Sequence, residues 1–177
     1  MELPNKKYQI IYAAPPWYFK NYNDNTATRW VGEHYKIMEL DDIKKLPVSK
    51  ITDKDSILFL WVTFPFLDKA FEVIKSWGFK YKTVAFVWIK TNKEKSLFTG
   101  MGYWTRSNAE ICLLATKGKP KRISNNVHQI IVSNRRKHSE KPPETRERIV
   151  ELIGESSRIE LFARNSIDNW DCWGDEI

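Results

Sequence analysis

At 177 residues the chain is long enough to bury a core as one domain, residues 1–177, without help from disulfides. Its two cysteines and three histidines show no metal-ligand spacing, and its longest apolar run, residues 57–62, is far too short to cross a bilayer. These features exclude a disulfide scaffold, a metal centre and a membrane span, and they point to a reduced, cytoplasmic protein; a net charge of +7 favours a polyanionic partner.

Residues 7–12 read as a buried central strand that stops at Pro15-Pro16, because proline has a fixed φ and no N–H to continue a ladder. The double proline predicts an extended turn with bare carbonyls, and Trp17, Tyr18 and Phe19 set flat rings beside those acceptors. That combination suits a planar base. Residues 20–34 are polar and aperiodic, a loop that is placed to act as a lid or simply to lie on the surface.

A short helix is expected over 35–46, with acidic residues early and lysines late. A buried strand follows at 56–62. Pro65 opens a helix with Leu67, Ala70, Phe71 and Ile74 on one face, closed by Gly78. A strand at 81–89 completes a strand, helix, strand crossover that implies parallel pairing. Residues 90–107 form a long polar loop of the kind that usually serves function. Further strands are expected at 109–115, 127–132 and 158–162. Between the last two, Arg135, Arg136, Lys137 and His138 precede a proline-started helix over 142–153, whose apolar face is Ile149, Leu152 and Ile153. The pattern predicts a Rossmann-like α/β fold, a mixed, mostly parallel sheet with helices on both faces and the site at the carboxyl ends of the strands.

Ala14-Pro15-Pro16-Trp17 resembles the Asp-Pro-Pro-Trp signature of the adenine N6-methyltransferase family that includes the messenger-RNA adenosine methyltransferases and many bacterial and phage enzymes. Three later blocks resemble that family in order: His138-Ser139-Glu140-Lys141-Pro142, Glu160-Leu161-Phe162-Ala163-Arg164-Asn165, and Gly174-Asp175-Glu176. Smaller matches lie between them, at Leu58–Thr63, Trp77–Phe79, Trp88–Thr91 and Glu110. The resemblance covers nearly the whole chain. It implies an S-adenosylmethionine-dependent methyltransferase, with S-adenosylhomocysteine as product, in a circular variant of the usual methyltransferase order.

The resemblance also assigns residues. Position 14 with Pro15, Pro16 and Trp17 would handle the adenine amine. Tyr12, Ala13, Lys141, Glu160, Phe162, Arg164, Asn165, Asp175 and Glu176 would hold the methyl donor. Lys141 would meet the donor's carboxylate end and Glu160 its pocket, while Asp175 stands where the family usually has Asn. Tyr18, Arg106, Arg135, Arg136, Lys137 and His138 would border the nucleic acid.

Adenine's exocyclic amine is a poor nucleophile because its lone pair is delocalised into the ring. Acceptors for its N–H groups must turn that lone pair towards the electrophile, and a charged acceptor is roughly twice as strong as a neutral one. The family's Asp supplies that charge. Ala14 cannot, so the chain is expected to have little or no activity, through an introduced change or a natural loss; the otherwise intact signature favours the former. The rival expectation is a catalytically dead nucleic-acid-binding module or partner subunit. DNA is favoured over RNA because compact relatives of this kind are mostly bacterial or phage. A homodimer or a second methyltransferase-like protomer would then supply any further target recognition.

Overall fold

Strict two-residue alternation along the strands sorts their side chains between two apolar layers. Leu58, Leu60 and Val62 enter one layer, and Ile57, Phe59 and Trp61 enter the other. The computed structural model describes residues 2–17, 38–136, 140–175 and 177. Among these, seven strands form one sheet: β1 (Tyr8–Ala13), β2 (Thr52–Val62), β3 (Lys80–Thr91), β4 (Ala109–Lys117), β5 (Ile130–Asn134), β6 (Arg158–Leu161) and β7 (Asp171–Trp173).

The strand order is β5-β3-β4-β2-β1-β6-β7. Parallel ladders join β2 to β1, β1 to β6, β6 to β7 and β3 to β5, while β4 runs antiparallel to both β2 and β3. The sheet is therefore mixed and mostly parallel, as the sequence leads one to expect. Helices α1 (Leu40–Lys45) and α2 (Leu67–Ser76) cover the layer that holds Leu58 and Leu60, and α3 (Glu144–Ile153) covers the layer that holds Phe59 and Trp61. Both faces are closed by helices. None of the described helices is long and apolar enough to cross a membrane.

Several local expectations shift. The crossover from β2 through α2 to β3 does join parallel strands, but β4 slots between them, so they are not neighbours. The helix expected over 35–46 begins only at Leu40, because Met38 instead bridges to Trp17 and its N–H donates to the Pro16 carbonyl. On α2 the buried residues are Ala70, Val73 and Ile74; Trp77 caps the helix through its backbone N–H, which donates to the Val73 carbonyl, while its ring N–H donates to the Ile43 carbonyl of α1. Phe71 is exposed, set edge-on to Tyr81. The strand expected at 127–132 lies later, at Ile130–Asn134, where pairing with residues 87–91 of β3 sets the register. The loop over 20–34 lies outside the described residues.

Candidate active site

The first strand ends at Ala13, and the Ala14 N–H reaches the Leu161 carbonyl at 3.4 Å. The prolines then stop the ladder, but their carbonyls are not bare as expected. The Pro15 oxygen accepts the Trp17 N–H at 2.9 Å, and the Pro16 oxygen accepts the Met38 N–H at 3.1 Å. A carbonyl has two lone pairs, so each keeps capacity for one more donor. Trp17 is fixed twice. Its ring N–H donates to the Trp61 carbonyl at 3.0 Å, and its ring lies nearly parallel to Phe66, with centroids 6.1 Å apart.

This turn forms one wall of a cavity of about 880 Å³, within the range of roughly 300–1,000 Å³ usual for small-molecule pockets. The cavity lies at the carboxyl ends of the parallel strands. Thr63 to Phe66 follow β2, and Phe162, Arg164 and Asn165 follow β6; residues 100–109 lead into β4, which brings Glu110; Lys141 and Arg146 come from the entry to α3. Phe162 sits at a positive φ of 62° with its ring edge-on to Trp173.

Two buried charge clusters lie in the cavity wall. Strand alternation puts Glu110 and Glu160 on the α3 side of the sheet. Glu110 is only 5% exposed and accepts from both Lys90 and Lys141, the latter at 2.5 Å. Burial would push its pKa up, but the ammonium charges of Lys141 and Lys90 outweigh that and lower it to about 2. Glu160 is held by Arg146 through bonds of 2.6 and 2.8 Å. Burial would lower the Arg146 pKa, yet Glu160 raises it above the ordinary arginine value. Glu110 and Arg146 both carry their charge at neutral pH.

Of the residues singled out in the sequence, Ala14, Pro15, Pro16, Trp17, Arg106, Lys141, Glu160, Phe162, Arg164 and Asn165 line this one cavity. Tyr12 and Ala13 do not. Both are fully buried in the sheet, where the Tyr12 hydroxyl accepts the Trp61 ring N–H and its ring meets Trp170 edge-on. Asp175 is exposed and off the wall. Arg135 and Arg136 are exposed outside it too: Arg135 lies 3.7 Å over the Phe98 ring, and Arg136 pairs with Glu140. Tyr18, Lys137, His138 and Glu176 lie outside the described residues. Among the described residues no cluster of three His, Cys, Asp or Glu side chains could hold a metal.

The sequence did not single out Arg146, and it placed Lys90 and Glu110 only in matching blocks, without a role. The signal for Arg146 was a cation in the first turn of a helix, where the dipole disfavours it unless an anion stands opposite.

A match to the MT-A70 family runs over residues 8–176. The chain belongs to the MT-A70 family. MT-A70 methyltransferases depend on S-adenosylmethionine. The chain is 38% identical to the type II methyltransferase M.MunI of Mycoplasma sp, in an alignment covering 99% of this chain and 80% of that protein. It is 30% identical to the N(6)-adenosine-methyltransferase MT-A70-like protein of Drosophila melanogaster and 29% identical to the human N(6)-adenosine-methyltransferase catalytic subunit METTL3. Each of these two alignments covers 97% of this chain; it spans only 27% and 28% of those proteins' lengths.

The cavity suits the methyl donor of the MT-A70 family. It joins an apolar, aromatic wall to a wall of buried charge, as a molecule with a flat base at one end and a zwitterion at the other requires. Lys141 has three N–H donors and Glu110 takes one, so donors remain for a carboxylate.

Proposed function

We propose that this chain is built to move a methyl group from S-adenosylmethionine to the exocyclic amine of adenine in a nucleic acid, and that with alanine at position 14 it has little or no activity. The observation that carries this reading is convergence. The Ala14–Trp17 turn, Lys141, Glu160, Arg164 and Asn165 come from three distant stretches of chain and share one cavity.

S-adenosylmethionine, when bound, supplies an electrophilic methyl on a sulfonium and departs as S-adenosylhomocysteine. Lys141 would hold its carboxylate, with Arg164 and Asn165 along its sugar side. The Pro15 carbonyl accepts one adenine N–H, and Trp17, locked by its bond to the Trp61 carbonyl, offers its ring to the base. Position 14 lies on the cavity wall beside Pro15 and has only a methyl group there. The second amine proton therefore has no charged acceptor, and nothing offsets the positive charge that builds on nitrogen. In a duplex the adenine must turn out of the stack to reach the cavity, which costs roughly a few kcal/mol.

DNA is favoured over RNA as the substrate. The similarity is higher, and spans most of the partner's length, for the bacterial type II methyltransferase than for the proteins named for adenosine, a ribonucleoside. Ala14→Asp should give methyl transfer to adenine-containing polynucleotides, read with isotopically labelled donor. No transfer to any DNA or RNA by that variant would sink the reading.

Ala14 itself favours a second reading, a catalytically dead nucleic-acid-binding module or partner subunit. Calorimetry separates the two. A disabled enzyme keeps its affinity for S-adenosylmethionine, and a purely structural partner has none.

A further inference from the structure

The loop from Asn92 to Asn108 joins β3 to β4 and forms one rim of the cavity. Its tightest point is Trp104. The Tyr103 carbonyl accepts the Thr105 N–H at 2.8 Å, which closes a three-residue γ-turn, and Trp104 at its centre has a φ of 66°. That conformation is unfavourable for a side chain as large as indole. Gly102 makes the turn possible: its φ is 67°, and a Cβ there would stand 1.9 Å from the Thr105 carbonyl oxygen. Tyr103 and Thr105 both line the cavity, yet the indole between them is 97% exposed. Every other described tryptophan is buried or half-buried. Beside it Met101 is 85% exposed, with its sulfur 3.6 Å from the Arg106 guanidinium.

A large apolar ring held in water on strained backbone is doubly unfavourable, and strain of this kind concentrates at working sites. The surroundings identify the occupant. The loop carries Lys93, Lys95 and Arg106 against Glu94 alone, Arg135 stacks on its Phe98, and the whole chain has a net charge of +7. Cations around a bare aromatic face suit a polyanion with stackable rings.

We propose that Trp104 is the side chain that enters the nucleic acid beside the target adenine and stacks in the space the base leaves when it turns out into the cavity. The proposal rests on the adenine methyl-transfer reading. Apolar side chains inserted between base steps unstack the duplex and bend it towards the protein. The γ-turn presents Trp104 as a fixed wedge, while its neighbours Tyr103 and Thr105 face the pocket that receives the base.

The test uses short adenine-containing duplexes, and their single strands, with 2-aminopurine next to one adenine, in matched DNA and RNA forms. The parent should bind, quench its exposed tryptophan emission and brighten the 2-aminopurine as stacking is lost. Trp104→Ala should weaken binding by roughly five- to a hundredfold and abolish the 2-aminopurine change, with an unaltered melting temperature. Trp104→Tyr should recover most of both. The form, DNA or RNA, that shows the Trp104-dependent change identifies the nucleic acid. Equal affinity and an equal 2-aminopurine response in Trp104→Ala would overturn the proposal while leaving the adenine reading intact. Loss of a dimer in Trp104→Ala with unchanged nucleic-acid affinity would also overturn it, by showing a protein-docking face. If the parent binds none of the probes, the adenine reading fails and this proposal fails with it.

Discussion

Arg146 grips Glu160 through two parallel hydrogen bonds, of 2.6 and 2.8 Å, from the first turn of α3 to the end of β6. The pair spans the wall of the cavity and ties the α3 layer to the sheet. Both side chains are largely out of water, so removing one partner strands a charge in a poorly solvated place. Arg146→Ala should therefore lower stability by about 3–5 kcal/mol, read by urea unfolding. Calorimetry on the same variant should find weaker S-adenosylmethionine binding, since both residues line the pocket. An unchanged unfolding midpoint would contradict this account.

Glu110 makes stability depend on acid. Its pKa falls from 4.5 to about 2 on folding, because Lys141 and Lys90 outweigh the upward push of burial. A carboxyl with a depressed folded pKa contributes stability that is fully present above about pH 4.5 and is lost as pH falls towards 2. The loss should amount to about 3 kcal/mol across that window. Urea midpoints taken from neutral pH down to pH 2 should show it, and Glu110→Gln should flatten that part of the profile while lowering stability at pH 7.

Gly102 holds the cavity rim in shape. An alanine Cβ would collide with the Thr105 carbonyl oxygen, and its φ of 67° is unfavourable for any L side chain. Gly102→Ala should cost about 1–3 kcal/mol locally. Hydrogen exchange should detect this as faster exchange over residues 97–108 with little change in β1 or β2.

Trp17 contributes a ring and a donor that two substitutions can separate. Trp17→Phe keeps an aromatic face but loses the bond to the Trp61 carbonyl, worth about 1 kcal/mol. It should retain much of the binding of adenine-containing oligonucleotides. Trp17→Ala also loses the contact with Phe66 and should bind them far more weakly. Equal affinity in the two variants would mean that the ring does not meet the base.

Unbroken apolar runs made the strand cores legible in the sequence. Ile57 to Val62 alternate between two faces wherever the strand sits, and two prolines end β1 because they have no N–H to donate. Gly78 closes α2 for a similarly local reason, at a φ of 84°. Composition could not reveal that the turn, Lys141 and Glu160 share one cavity; that follows from strands leaving the same edge of one sheet.

Contacts between remote segments belonged to the tertiary structure alone. The sequence placed β3 after a crossover, but only long-range pairing inserts β4 between β2 and β3, and only β6 gives the three-residue β7 a ladder to join. Phe71 fits the helical period as well as Val73 does, yet Val73 is buried in the core and Phe71 lies exposed against Tyr81. The proline carbonyls found partners in Trp17 and Met38, and the buried carboxylates found theirs in Lys90, Lys141 and Arg146. Periodicity is a property of neighbours along the chain. Neutralising a buried charge or satisfying a carbonyl depends on whatever the completed fold brings within about 3 Å.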